Sequence, residues 1–158
     1  MNPVLPHLAH QAFFGGIAAA GFGVLFNCPP RLLGLCFGFG AFALTVRTAG
    51  QEINDLGLPA ASFVAAFFLA VLNRILEQPD SPRGSVLAVV GCIPMIPGSL
   101  AAKGLMNIFE LLKASPGEGL LKAAAGEENL FLMVFTLVGI GTALAIPAVV
   151  FPPVRRET

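Results

Sequence analysis

Long apolar runs separated by short polar segments dominate the pattern of this chain. A membrane-spanning α-helix needs about 20 mostly apolar residues, and five stretches of the sequence approach or exceed that length. They cover residues 8–26, 32–49, 58–76, 85–112 and 130–151. The pattern therefore predicts an all-α integral membrane protein with about five transmembrane helices, which form a single transmembrane domain over residues 1–158.

The fourth run is interrupted by two prolines and a glycine. Residues 84–102 contain no charged side chain, and Pro94, Pro97 and Gly98 lie in the middle of them. A proline lacks an N–H donor and clashes with the preceding turn, so a regular helix cannot continue through this segment. At membrane depth, broken backbone survives only where it is buried in protein or lines a polar cavity. We therefore predict either two half-helices that meet near Pro97 and Gly98, an arrangement typical of transporter binding sites, or one strongly tilted helix with a kink at this point.

Composition supports the membrane class and argues against several functions. Charged residues make up 11% of the chain and hydrophobic residues 56%, whereas a soluble domain averages about 25% charged residues. The formal net charge of zero argues against a nucleic-acid partner. No nucleophile-and-base arrangement is visible, so we do not expect an enzyme. Three scattered cysteines and two histidines lack metal-ligand spacing, and we expect neither a metal nor a cofactor.

Polar side chains follow the break at helical spacing. Ser99, Lys103 and Asn107 are four residues apart and share one helix face. A half-helix beginning at Gly98 would offer free backbone N–H groups and a positive dipole end, which suit a carboxylate. The alternative is that Lys103 snorkels to the interface or pairs with a carboxylate of another helix. The candidate substrate-binding residues are Pro97, Gly98, Ser99, Lys103 and Asn107.

Arg47 lies near the end of the second run and has two interpretations. As an interfacial anchor its side chain would snorkel and need no function. Facing inward, it would be a second clamp for a carboxylate. Thr136 and Thr142 in the last run present a similar choice, between bonding to their own helix and lining a path.

Small residues and loop charges bear on assembly and orientation. Gly15, Ala19 and Gly23 are spaced four apart in the first run, as in closely packed membrane helices. Five short helices are few for a complete transporter, so we expect a partner chain or a homo-oligomer.

With five spans and a cytoplasmic C-terminus, more cationic residues lie on the cytoplasmic side, as the positive-inside rule favours. Those on the cytoplasmic side would be Arg31, Arg74, Arg83, Arg155 and Arg156, against Arg47, Lys113 and Lys122 outside.

Two motifs resemble the threonine/serine exporter (ThrE) family, and more closely its small YjjB-type subunit. The first is Phe-Asn-Cys-Pro at residues 26–29, followed by Arg31, and the second is Ile-Pro-Met-Ile-Pro-Gly at residues 93–98. The resemblance covers nearly the whole chain in length, segment order and motif position. The matched positions are Asn27, Pro29, Pro94, Pro97 and Gly98.

The resemblance implies proton-driven export of small amino acids, chiefly threonine and serine, across the bacterial inner membrane. It also implies that the chain acts with a larger YjjP-type membrane subunit. We therefore expect a membrane subunit of a secondary exporter of small carboxylate-bearing solutes. Two alternatives stay open: a subunit for dicarboxylates such as succinate, with which split family members are also associated, and a structural or regulatory subunit without a substrate site.

Overall fold

The computed structural model describes residues 4–76, 84–112 and 119–150. Within those ranges the chain forms α-helices, two short 3₁₀ turns and no strand. The helices are α1 (Val4–Leu25), α2 (Leu33–Ile53), α3 (Leu58–Leu76), α4 (Gly84–Cys92), α5 (Gly98–Leu111) and α6 (Gly119–Val150). Four of the cationic residues used to predict the orientation, Arg83, Lys113, Arg155 and Arg156, lie outside the described residues.

Four helical segments of the described chain are long and apolar enough to cross a membrane. They are α1, the segment Pro30–Ile53 that contains α2, α3, and Ala123–Val150 within α6. Helices α4 and α5 qualify together as a fifth span, which is bent by 47° at its break. The predicted all-α membrane fold, with about five spans and the fourth one broken, is confirmed.

Asn27, which lies two residues before the Pro29–Pro30 pair, closes the first helix. Its φ of 56° places it in the left-handed region, which asparagine tolerates better than most residues. The N–H of Cys28 donates to the Gly23 carbonyl, and the N–H of Asn27 donates to the Val24 carbonyl, both at 2.9 Å. This pair of bonds is a Schellman motif, and it turns the chain towards the 3₁₀ turn Pro30–Leu32 and α2.

Helices α1 and α2 pack closely through small residues. Gly15, Ala19 and Gly23 are all buried on α1, so the predicted small-residue stripe does form a helix contact. A Cβ atom on Gly40 of α2 would lie 2.5 Å from the Gly15 carbonyl oxygen, a distance that leaves no room for a side chain. By contrast, a Cβ atom on Gly38 would meet nothing within 4 Å, so that face of α2 is open.

A shared apolar core joins α2, α3 and α4. Ala43, Ala65, Leu69 and Val90 are fully buried in it. Gly91 allows α4 to approach both neighbours, because a Cβ atom there would lie 2.9 Å from the Phe39 Cβ and 3.0 Å from the Leu69 Cδ2. This packing fixes the first half of the broken helix between α2 and α3.

Helices α5 and α6 pack against each other as an antiparallel pair. Gly104 of α5 lies against Leu130 and Gly126 of α6, and α6 is the main packing partner of α5. Further along, Gly139 of α6 contacts Pro59 at the start of α3. The first part of α6, about 20 residues or ~30 Å long at 1.5 Å per residue, therefore comes before its contact with α3 and lies on the side of α5.

A polar contact joins the beginning of α1 to the end of α2. His7 Nδ1 pairs with the Glu52 carboxylate, and Gln11 Nε2 lies 3.2 Å from His7 Nε2. If the histidine is neutral, its Nδ1–H donates to Glu52 and its Nε2 accepts from Gln11. His7 thus has a specific partner on the neighbouring helix.

Candidate functional site at the helix break

The break between α4 and α5 has a defined backbone path. After α4 ends at Cys92, the 3₁₀ turn Ile93–Met95 contains Pro94 near its start, where a missing N–H donor costs little. Ile96 is extended, with φ −63° and ψ 121°. Pro97 then precedes the first residue of α5, Gly98. The two half-helices predicted from sequence therefore meet where the two prolines and the glycine lie.

Most backbone N–H groups at the start of α5 already donate hydrogen bonds. The N–H of Gly98 donates to the Ile96 carbonyl at 2.8 Å, and those of Leu100 and Ala101 donate to the Pro97 carbonyl at 3.1 and 3.4 Å. The N–H of Ser99 has no such acceptor among the described residues. Fewer N–H groups are therefore free at this helix end than the sequence predicts, because Pro97, with φ −80° and ψ 64°, turns the Ile96 carbonyl back towards Gly98 as in an inverse γ-turn.

Arg47 of α2 reaches the break from the side. Its Nη1 donates to the carbonyl oxygen of Met95 at 2.9 Å, at the end of the first half-helix. The last carbonyls of a helix lack intrahelical donors and carry a partial negative charge, so a cation there is favourable. Of the two interpretations of Arg47, the structure therefore agrees with the inward-facing side chain, and the side chain is partly buried.

The guanidinium of Arg47 keeps an N–H donor that has no acceptor among the described residues. Its Nε atom is buried and has no hydrogen-bond partner in the described part of the chain. Arg47 forms no ion pair within the described residues, so no described carboxylate balances its charge. A charge within a span that lacks a counter-ion is costly, and residues of this kind mark solute or ion pathways.

Ser62 of α3 is a second buried polar group without a partner. It is fully buried, and its Oγ makes no hydrogen bond within the described residues. Helices α2 and α3 are antiparallel, and a Cβ atom on Gly50 of α2 would lie 3.4 Å from the Ala61 Cβ of α3. Arg47 and Ser62 therefore lie at depths that differ by less than about one helical turn. In the sequence, Ser62 stands out only as a single hydroxyl in an alanine- and phenylalanine-rich run.

The remaining predicted residues lie along α5, away from Arg47. Gly98 and Ser99 are exposed at the start of the helix, and Lys103 is exposed one turn later. Asn107 is partly buried, because its Cβ faces Gly126 of α6. The structure thus brings Arg47 to the break, whereas Lys103 and Asn107 lie at the level where α5 packs on α6.

The residues of the first motif lie at the other end of α2 from Arg47. Asn27 and Pro29 form the connection between α1 and α2, and Arg31 is exposed in the 3₁₀ turn that follows. Their contacts are those of a helix connection. Thr136 and Thr142 of α6 also make local contacts, because their hydroxyls donate to the carbonyls of Leu132 at 2.6 Å and Val138 at 2.8 Å.

The chain matches a family model and curated proteins. A family model described as "Threonine/Serine exporter, ThrE" matches residues 11–150. An uncharacterised protein of Haemophilus influenzae is 27% identical over 144 residues, which cover 91% of this chain and 48% of that protein. The chain therefore spans about half the length of this curated relative. None of the solved structures matches the chain.

Proposed function

The chain belongs to the threonine/serine exporter (ThrE) family, and on that premise we propose that it is a membrane subunit of a secondary exporter. Its solutes would be small molecules that carry a carboxylate, of the threonine and serine type. It would act together with a larger YjjP-type membrane subunit.

The unbalanced charge of Arg47 beside the broken helix carries this proposal. Arg47 donates to the Met95 carbonyl, keeps a buried Nε–H without a partner, and has no carboxylate partner among the described residues. A solute carboxylate would supply both the counter-charge and the missing acceptor. Guanidinium groups bind carboxylates well because two of their N–H groups can donate in parallel.

Other residues near the break would complete the site. The N–H and hydroxyl of Ser99 offer two donors at the start of α5, and Ser62 offers a buried hydroxyl at the depth of Arg47. Lys103 and Asn107, further along α5, would guide the solute to or from the break. Pro97 and Gly98 would keep the half-helices apart, since a continuous helix would leave no free polar groups there.

The α5–α6 pair supports the need for a partner subunit. Large apolar side chains on its outer faces are exposed: they include Leu105, Met106, Phe109, Phe131 and Phe135, each more than half exposed. Lipid or a second chain must cover these faces, and exposed Lys103 on the same helix favours protein over lipid. The Haemophilus influenzae relative is about twice as long as the shared region, which is consistent with a site assembled from two parts.

We place the protein in the bacterial inner membrane with its C-terminus in the cytoplasm. Family membership supports a multi-pass membrane protein, and the loop arginines support the orientation. In this orientation the connection between α1 and α2 faces the cytoplasm. The break lies nearer the outer side, since Arg47 is close to the end of α2.

Solute efflux tests the proposal. Cells that lack their own exporters would be loaded with threonine, serine or succinate, and would express this chain alone, the candidate larger subunit alone, or both. We expect efflux of threonine and serine only when both chains are present.

Other results would redirect the interpretation. Succinate efflux without amino-acid efflux would support the dicarboxylate alternative. Efflux from this chain alone would indicate a self-sufficient homo-oligomer. No efflux with both chains present in the membrane would contradict the exporter proposal for these solutes and favour a structural or regulatory subunit.

A further inference from the structure

The structure brings two cysteines together at the point where α1 turns into α2. Cys28 lies in the connection between the helices and is partly buried, whereas Cys36 lies in the first turn of α2 and is buried. A hydrogen bond joins the two thiols. Neither residue belongs to the site at the break, so the contact between the thiols needs a separate explanation.

Gly23 of α1 provides the space for this contact. A Cβ atom on Gly23 would lie 3.0 Å from the Sγ atom of Cys36, so a side chain there would crowd the thiol. The carbonyl of the same glycine accepts a hydrogen bond from the N–H of Cys28 at 2.9 Å. Both cysteines are therefore neighbours of one residue, and its lack of a side chain lets the Cys36 thiol fit between the helices.

The backbone of Cys28 is held from both sides. Asn27, the residue before it, adopts the left-handed conformation that ends α1, and Pro29, the residue after it, restricts Cys28 to extended conformations. The connection therefore keeps the Cys28 thiol beside that of Cys36. Groups that are held close together react with each other far faster than the same groups free in solution, because little freedom is lost when the bond forms.

The two thiols differ in their accessibility. Cys28 is partly exposed, so a small soluble reagent can reach its sulfur. Cys36 is 0% exposed, and its sulfur is within reach of Cys28 instead. An accessible thiol next to a second, resolving thiol is the usual arrangement of redox-sensing cysteines. The pair therefore fits a reaction that begins at Cys28 and ends at Cys36.

We propose that Cys28 and Cys36 form a redox-modification site whose oxidant is a small soluble disulfide of the glutathione type. The Cys28 thiolate would attack one sulfur of the reagent, which forms a mixed disulfide and releases one thiol. The Cys36 sulfur would then attack the Cys28 sulfur, which forms the Cys28–Cys36 bond and releases the second thiol. Each cysteine gives its proton to a leaving thiolate, so the reagent is reduced to two thiols while the pair is oxidised to one disulfide.

The product would tie the α1–α2 connection to the first turn of α2. The inference goes beyond the exporter function and uses only the proposed orientation, in which this connection faces the cytoplasm. Thiol systems there keep cysteines reduced, and the disulfides that do form are mostly transient. The bond would therefore form under oxidising conditions and be reversed by thiols afterwards.

Oxidised glutathione tests the site in membranes from cells that express this chain together with the larger subunit. The membranes would first be reduced and washed. The Cys92→Ala variant leaves only the proposed pair of thiols. After oxidation and denaturation, the remaining free thiols would be labelled with a maleimide, and the intact mass of the chain would be measured. We expect the loss of both maleimide labels with no glutathione attached, and the return of both labels after reduction.

Cys36→Ala is the matched control, because Cys28 then lacks its resolving thiol and should stop at the mixed disulfide with one glutathione attached. Cys28→Ala should leave both other thiols free to be labelled after denaturation, since Cys36 and Cys92 are buried.

Three results with the Cys92→Ala variant would overturn the proposal. They are a glutathione adduct that persists on Cys28, two thiols that both stay free, and a covalent dimer of the chain through Cys28. Efflux measured on the same cells separates the two proposals: efflux without the internal disulfide removes only the redox site, and the disulfide without efflux removes only the exporter function.

Discussion

Arg47 in α2 donates a hydrogen bond of 2.9 Å to the carbonyl oxygen of Met95, the last residue of the 3₁₀ turn that ends the first half of the broken helix. The two residues are 48 positions apart in the chain. The contact gives the free carbonyl end of the half-helix a cationic donor and brings a guanidinium to the break. Because part of that guanidinium stays unpaired, the same contact positions a candidate carboxylate-binding group.

Arg47→Gln should lower threonine efflux by about 10- to 100-fold. A hydrogen bond to a charged group contributes about 1.5–3 kcal/mol, and glutamine keeps a donor for Met95 but loses the charge. Arg47→Lys should retain part of the activity, since lysine keeps the charge without the planar pair of donors. Efflux in cells that express both subunits measures the effect. Arg31→Gln, at an exposed position of the first motif, is the matched control, and an equal loss there would contradict a specific role for Arg47.

Ser62→Ala should separate transport from stability. Removing a buried hydroxyl that has no partner leaves no unsatisfied group behind, so thermal stability in detergent should stay equal or rise. If the hydroxyl binds solute, the apparent KM for threonine should rise several-fold. Unchanged KM with unchanged stability would mean that Ser62 is a packing residue, and Ser62→Cys, of similar size, tests whether steric fit alone accounts for any loss.

Gly40→Ala should disrupt the α1–α2 pair, whereas Gly38→Ala should be tolerated. The added methyl at position 40 would lie 2.5 Å from the Gly15 carbonyl oxygen, whereas at position 38 it would meet nothing within 4 Å. Overpacking of this kind costs about 1–3 kcal/mol. Membrane levels and melting temperature in detergent measure the effect. Equal behaviour of both variants would contradict the observed register of α1 and α2.

Lys103→Ala tests whether the α5 residues serve transport or assembly. If Lys103 guides the solute, efflux should fall at least tenfold while the larger subunit still co-purifies. If it contacts the partner instead, co-purification should fall and efflux with it. Leu105→Ala, at an exposed apolar position that the proposed partner would cover, is the reference for a lost partner contact, and it should lower co-purification. Normal efflux with normal co-purification would remove Lys103 from both roles.

Much of the architecture could be predicted from the chain because apolar run length and proline chemistry act locally. Apolar runs longer than a bilayer core must become spans, and Pro94, Pro97 and Gly98 must break a helix in any context. Asn27 likewise closes α1 through bonds to carbonyls only three and five residues away. None of these features depends on which helices become neighbours.

The contacts around the break, by contrast, depend on how the helices pack. Whether Arg47 points to lipid, to a headgroup or to Met95 depends on the rotation of α2 against α4, which the packing of Gly91 on Phe39 decides. The same holds for Ser62, which looks like an ordinary polar residue in sequence and becomes unusual only through burial without a partner. The sequence by itself therefore determined the spans, their break and the family motifs, because those follow from local chemistry. Only the tertiary structure decided which polar groups are left unpaired, since that depends on how the helices pack.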